Sequence, residues 1–260
     1  CAQKLRLLSF HSSMASGKVS TSIFKQDNQP VYVLHSYPFK ETSLVVELFT
    51  RDFGRVAAVA KGARRPRSAM RGMLQSFQPL LGAWSGKLEL KTLHSLEWYA
   101  GLLMLQGEAL MCGFYMNELL LRLLAREDAH EMLFDDYGLT LKALAAAPSD
   151  SANILRRFEL RLLQQLGYAV PLTHNIKDEA VLADAQYFYV PEMGPVSLQH
   201  DYQENGVQLS GKTLLDMDKD DYADVQTQQQ SKQLMRLLIS HYLGDKPLHT
   251  RQLLMDLQDL

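Results

Sequence analysis

The chain has 260 residues, 47% of them hydrophobic, which is enough for about two domains with real cores. It holds two cysteines, Cys1 and Cys112, and no apolar run of the roughly 18 residues that a membrane helix needs, which argues against a disulfide framework, a thiolate zinc site and a membrane span. The formal charge of −2 conceals a strong polarity: residues 1–100 carry 14 Lys and Arg against 6 Asp and Glu, whereas 101–260 carry 13 against 23.

Residues 1–29 are Ser-rich and lack sustained periodicity, so they read as a flexible or non-native tail. From 31 the signals turn to β structure. Segments 31–34 (VYVL) and 43–50 (SLVVELFT) are apolar strand candidates, and Arg51-Asp52-Phe53-Gly54 is a hairpin turn leading to a third strand at 55–60. Two more, 77–84 and 88–93, flank the tight turn Ser85-Gly86-Lys87. Five short strands without a long helix fit a small Greek-key barrel of the OB type at 30–98, with a basic excursion at 61–72 between strands three and four.

Helical periodicity follows, giving an α+β chain whose second part, 99–260, is a helical bundle. Segment 102–126 is apolar nearly all round, as a buried central helix is. A helix at 131–146 stops before Pro148, and 153–166 places Ile154, Phe158, Leu162 and Leu166 on one stripe before Gly167. An irregular, Pro- and Gly-rich insertion spans about 168–212, with strand candidates at 186–190 and 206–210. Helices at 228–243 and from about 249, the latter carrying Leu253, Leu254 and Leu257, close the chain.

Chemistry concentrates in the barrel. Between 51 and 71 lie Arg51, Arg55, Lys61, Arg64, Arg65, Arg67 and Arg71, against the single acid Asp52. Cations clustered on a small β domain suit a phosphate backbone, because each phosphate met releases counterions. Lys40 adds to the set. Tyr37 and Phe39, beside a turn, are candidates to stack on unpaired bases, whereas Phe77 and Trp84 read as barrel core.

One other motif is sharp. Residues 206–213, GVQLSGKT, match the phosphate-binding pattern G-x-x-x-x-G-K-[ST] in every position. Yet Val207-Gln208-Leu209 alternates like a strand, and the polar 200–205 cannot be the buried strand that should precede such a loop. The match reads as a decoy. No His pair, nucleophile elbow or cysteine with a His partner suggests catalysis, and the Asp-rich 216–221 lacks the Gly and Glu of a calcium loop. The expectation is a non-enzyme without cofactor. The rivals are a P-loop NTPase using 206–213 and a protein-binding adaptor with a basic barrel.

A set of short motifs then appears in order along the chain: Val33-Leu34-His35-Ser36, Glu41-Thr42-Ser43, Phe49-Thr50, Gly54-Arg55-Val56 and Val59-Ala60-Lys61-Gly62-Ala63-Arg64. Gln78-Pro79-Leu80, Asn117-Glu118-Leu119-Leu120, Leu166-Gly167-Tyr168 and Leu243-Gly244-Asp245-Lys246-Pro247-Leu248 with Arg251 follow. In their number and order the chain resembles the RecO family of bacterial recombination mediators. That resemblance implies an OB barrel, a helical bundle and a zinc-finger-like insertion. It implies binding of single- and double-stranded DNA, annealing of complementary strands, and help in loading RecA onto strands coated by the single-stranded-DNA-binding protein SSB, together with RecR. A cytoplasmic, nucleoid-associated location goes with it. Many members carry zinc-binding cysteines after the segment matching 166–171; here that stretch has none, and a lone His174 cannot make a tetrahedral site.

The resemblance also implies that the helical part binds the acidic C-terminal tail of SSB, which ends in an apolar residue and a carboxylate. Such a ligand needs an apolar pocket with a cationic rim. Leu119, Leu123 and Phe158 are the expected pocket, and Arg122, Arg126, Arg157 and Arg161 the expected rim.

Overall fold

The computed structural model describes residues 24–198, 206–244 and 247–250. The expected tail up to residue 23 and the last helix beyond Thr250, with Leu253, Leu254 and Leu257, lie outside the described residues.

Five strands close into a barrel: β1 (Lys25–Phe39), β2 (Ser43–Thr50), β3 (Gly54–Ala60), β4 (Leu80–Ser85) and β5 (Leu90–Trp98), in the order β1-β2-β3-β5-β4. Only β3 and β5 pair in parallel, and β4 closes back onto β1. This is the OB-like arrangement expected from the spacing of the strands. Alternation builds the inside: Val46 and Leu48 of β2, Val56, Ala58 and Ala60 of β3, and Trp84 of β4 share the barrel core. The first strand begins at Lys25, inside the stretch read as tail, because its polar lead-in pairs with β4 before β2 is reached.

The outer face of β1 and β2 is apolar as well. Tyr32, Leu34 and Phe49 belong to the core of the helical part, with α1 (Gly107–Leu123), α2 (Glu131–Ala146) and α3 (Ser151–Gln165). The Tyr32 ring lies 5.2 Å from Phe134 and 5.0 Å from Tyr137, and the helices bury Leu119, Leu133 and Leu162 completely. A shift of register between Val33 and His35 breaks the β1–β2 ladder at Leu34. The buried Asn117 of α1 donates to the Leu34 carbonyl there at 2.8 Å and accepts from the Tyr137 hydroxyl at 2.6 Å, so the bulge leaves no orphan acceptor.

The insertion is more regular than its composition suggests. Strands β6 (Gln186–Val190), β7 (Gly194–Ser197) and β8 (Val207–Ser210) form an antiparallel sheet in the order β7-β6-β8. Tyr187, Tyr189, Val196 and Leu209 are among its buried side chains. The short helix α4 (Gly211–Asp218) follows, and α5 (Val225–Leu243) packs on it and on α3.

Candidate functional site

The β1–β2 turn and the segment leaving β3 lie at the same end of the barrel. Arg64 ties them together: its N–H donates to the Thr42 carbonyl at 2.9 Å and its guanidinium to the Glu41 carbonyl at 3.2 Å. The turn at Gly62 needs φ of +68°, which glycine adopts without strain. Successive turns continue through Arg65, Ser68 and Arg71. Apolar residues anchor this loop: Ala63 is fully buried, and Met70, Met73 and Leu74 pack on the barrel core. The intervening cations therefore face outward.

Lys40, Lys61, Arg64, Arg65, Arg67 and Arg71 are all exposed, and none has a carboxylate partner among the described residues. Lys40 sits 5.4 Å above the half-buried Phe39 ring. Tyr37, 41% exposed, stacks on His35 at 6.1 Å. The loop cations and both expected aromatics thus belong to one end and one edge of the barrel.

Arg51 and Arg55 do not join them. Arg51 crosses to α2, meeting Asp135 at 3.1 Å and Glu131 at 3.0 Å, with Asp52 at 3.5 Å. Its hydrogen bond to Asp135 raises its pKa. Arg55 is held by Glu47 at 3.2 Å and by the Leu124 carbonyl at 3.1 Å. Both expected DNA contacts are fastenings between barrel and helices.

The expected tail-binding cluster disperses too. Leu119 and Phe158 are sealed core, and Leu123 is half-buried against it. Arg126 meets Glu47 at 2.6 Å and Glu89 at 2.5 Å. Arg157 pairs with Asp220 and Asp150 and lies over the Tyr222 ring, while Arg161 pairs with Asp136 and Asp220. These three arginines are spent on acids of other elements.

Arg122 is paired as well, with Glu118 of its own helix, but it lines an apolar cavity of about 670 Å³ with Leu34, Met111, Phe114 and Leu121. Glu118, 2.9 Å from Arg122, accepts from the backbone N–H groups of His249 and Thr250 at 2.8 and 2.9 Å. Burial would raise its pKa, but these hydrogen bonds and Arg122 outweigh that and hold it below the usual carboxylate range. Met111, Phe114 and Leu121 were not expected as pocket residues. Their signal was the apolar character of α1 all round, more than one buried face requires.

The P-loop match is used structurally. Its middle residues form β8, hydrogen-bonded to β6, so they wrap nothing. Ser210 caps α4 by accepting from the Thr213 N–H at 3.2 Å. Added Cβ atoms would strike the Tyr189 carbonyl oxygen at Gly206 (2.7 Å) and the Leu182 carbonyl oxygen at Gly211 (1.9 Å), so both glycines serve close packing. Lys212 pairs with Asp216 and Asp224. Among the described residues no group of three or more His, Cys, Asp and Glu side chains is placed to hold a metal. His174 meets Thr173, and the described residues of the insertion do not fit a zinc site. No helix among the described residues is long and apolar enough to cross a membrane.

Comparison with known proteins agrees with this architecture. Residues 25–102 match the family model for the Recombination protein O N terminal, and 104–252 that for the C terminal. The chain belongs to the RecO family. It is 56% identical to the DNA repair protein RecO of Nitrosospira multiformis over 237 residues, 91% of this chain and 98% of that one. The DNA repair protein RecO of Dechloromonas aromatica is 53% identical over 91% of this chain and 98% of its own length. That of Burkholderia lata is 51% identical over 92% and 86%. The break between the two RecO models, at 102–104, falls between β5 and α1.

Proposed function

We propose that this RecO family member binds single- and double-stranded DNA through the basic end of its barrel and anneals complementary strands. Acting with RecR, it helps load the RecA recombinase onto SSB-coated strands in the cytoplasm, at the nucleoid. It contributes no bond-making chemistry of its own. The observation that carries this reading is the loop cluster: exposed cations without carboxylate partners among the described residues, mounted on buried apolar anchors. Such a surface meets phosphates at little conformational cost and releases their counterions.

The SSB tail, in this reading, docks in the cavity lined by Leu34, Phe114, Leu121 and Arg122. An apolar terminal side chain fits its walls, and a carboxylate fits the guanidinium at its edge.

Fluorescence anisotropy of labelled single-stranded DNA against the full chain at two salt concentrations tests the first part, with strand annealing as the second readout. Binding that weakens steeply with salt is expected. Failure to bind, or ATP turnover that depends on Lys212, would overturn the reading.

A further inference from the structure

A second cavity, of about 250 Å³, opens at the other end of the barrel from the basic loop. Because β1, β2 and β3 run antiparallel in turn, the 40–42 and 51–53 connections lie at opposite ends. Asp52 and Phe53 of the second connection line this cavity, with Phe24 and Trp84. Trp84, only 2% exposed, forms the floor and meets Phe53 edge-on at 5.7 Å. Phe24, 42% exposed, stands at the mouth with Lys87 4.5 Å over its ring, and the Gly86 N–H fixes its backbone at 3.1 Å.

Beside Val56 and Gly86, the remaining wall carries the polar Gln26, Lys91 and Glu127. Lys91 is nearly buried and meets the Glu127 carboxylate at 2.6 Å. Glu127 adopts φ of +57°, a left-handed conformation unfavourable for a non-glycine residue, and its N–H is tied to the Arg55 carbonyl at 3.0 Å. The following residue is wedged on β3, where a Cβ on Gly54 would lie 1.8 Å from the Asp128 carbonyl oxygen. A strained, tightly packed segment therefore presents this carboxylate to the cavity.

A small cavity with aromatic walls and a hydrogen-bonding edge has the chemistry with which proteins hold a base taken out of its stack. We propose that this cavity takes one unpaired nucleobase bearing an exocyclic amine. The base lies against Phe24 and Trp84 and donates to Asp52 and Glu127, while Lys87 at the mouth balances the adjoining phosphate. Two carboxylates and a glutamine favour bases rich in donors, so cytosine, adenine and guanine are accepted ahead of thymine. This inference rests on the reading of the barrel as a single-stranded-DNA-binding module. It adds a second point of contact that grips a base where the loop cations grip phosphate.

The test uses the full chain and a short single-stranded oligonucleotide carrying one 2-aminopurine. Binding should quench or shift its fluorescence beyond the change seen with a salt-only control. Phe24→Ala should abolish that change and Asp52→Ala should reduce it, both at exposed positions. Affinity for oligo-dC should fall by about fivefold or more, a loss typical of one stacked base, and the preference over oligo-dT should disappear. If wild type binds the strand with no change at 2-aminopurine, or both variants behave as wild type, the cavity holds no base and the loop cations alone bind DNA. If wild type binds no strand at all, the DNA-binding reading falls with it.

Discussion

Arg126 and Glu47 form an ion pair of 2.6 Å that joins the chain beyond α1 to the wall of the barrel. Arg55 holds the other oxygen of the same carboxylate at 3.2 Å, and the Glu47 side chain is only 6% exposed. Removing this acid takes the carboxylate from Arg55 and leaves Arg126 with Glu89 alone. Glu47→Ala should lower stability by about 3 kcal/mol, the order expected for breaking a buried pair. Arg126→Ala, at a more exposed partner, should lower it less. Urea midpoints would check both, and an unchanged midpoint for Glu47→Ala would show that the network is not part of the fold's stability.

Reversing Arg64 and Arg65 to Glu should weaken DNA binding with little change in melting temperature, since the only bond lost among the described residues is the exposed one to the Glu41 carbonyl. The slope of log K against log salt should become shallower by about one to two. Arg51→Ala should do the opposite, lowering stability through loss of its bonds to α2 while leaving the salt slope unchanged. Equal slopes for wild type and the double reversal would move the DNA contact elsewhere.

For the SSB tail, Arg122→Ala should weaken a labelled tail peptide about tenfold or more, the loss of one charge-assisted pair. Arg157→Ala and Arg161→Ala should bind it as wild type does, since both arginines are engaged with Asp136, Asp150 and Asp220. A wild-type isotherm for Arg122→Ala would exclude the α1 cavity.

Lys212→Ala should leave DNA binding and annealing intact and barely move the melting temperature, as loss of an exposed ion pair does. Any ATP turnover in wild type that this substitution removes would restore the nucleotide-binding alternative.

Local patterns were legible where packing followed them. The apolar run of β2 and the helix stopped before Pro148, α2, each coincide with the observed element. The short β7 escaped because four residues beginning Gly-Pro carry no alternation, and it is held by its pairing with β6. Helix α4 hid where the P-loop match runs into the acidic stretch. Its support is tertiary, from the buried Leu214 and Met217 and from Thr227, which donates to Asp216 at 2.7 Å. The charge cluster predicted the loop cations but not the fate of Arg51, whose partner Asp135 lies 84 residues away. Composition shows where charge is dense. It does not show which charges are already matched.

The aromatic residues Tyr32 and Phe49, set on the outside of the barrel yet buried among α1 and α2, have a practical consequence. A fragment cut between β5 and α1 would close its strands and still display a greasy flank, stripped of Asn117 at the Leu34 bulge and of the acids that answer Arg51. It would clump rather than stand as a module. The sequence boundary between the two halves is thus no place for scissors: what looks like two beads on a string melts, and must be made, as one piece.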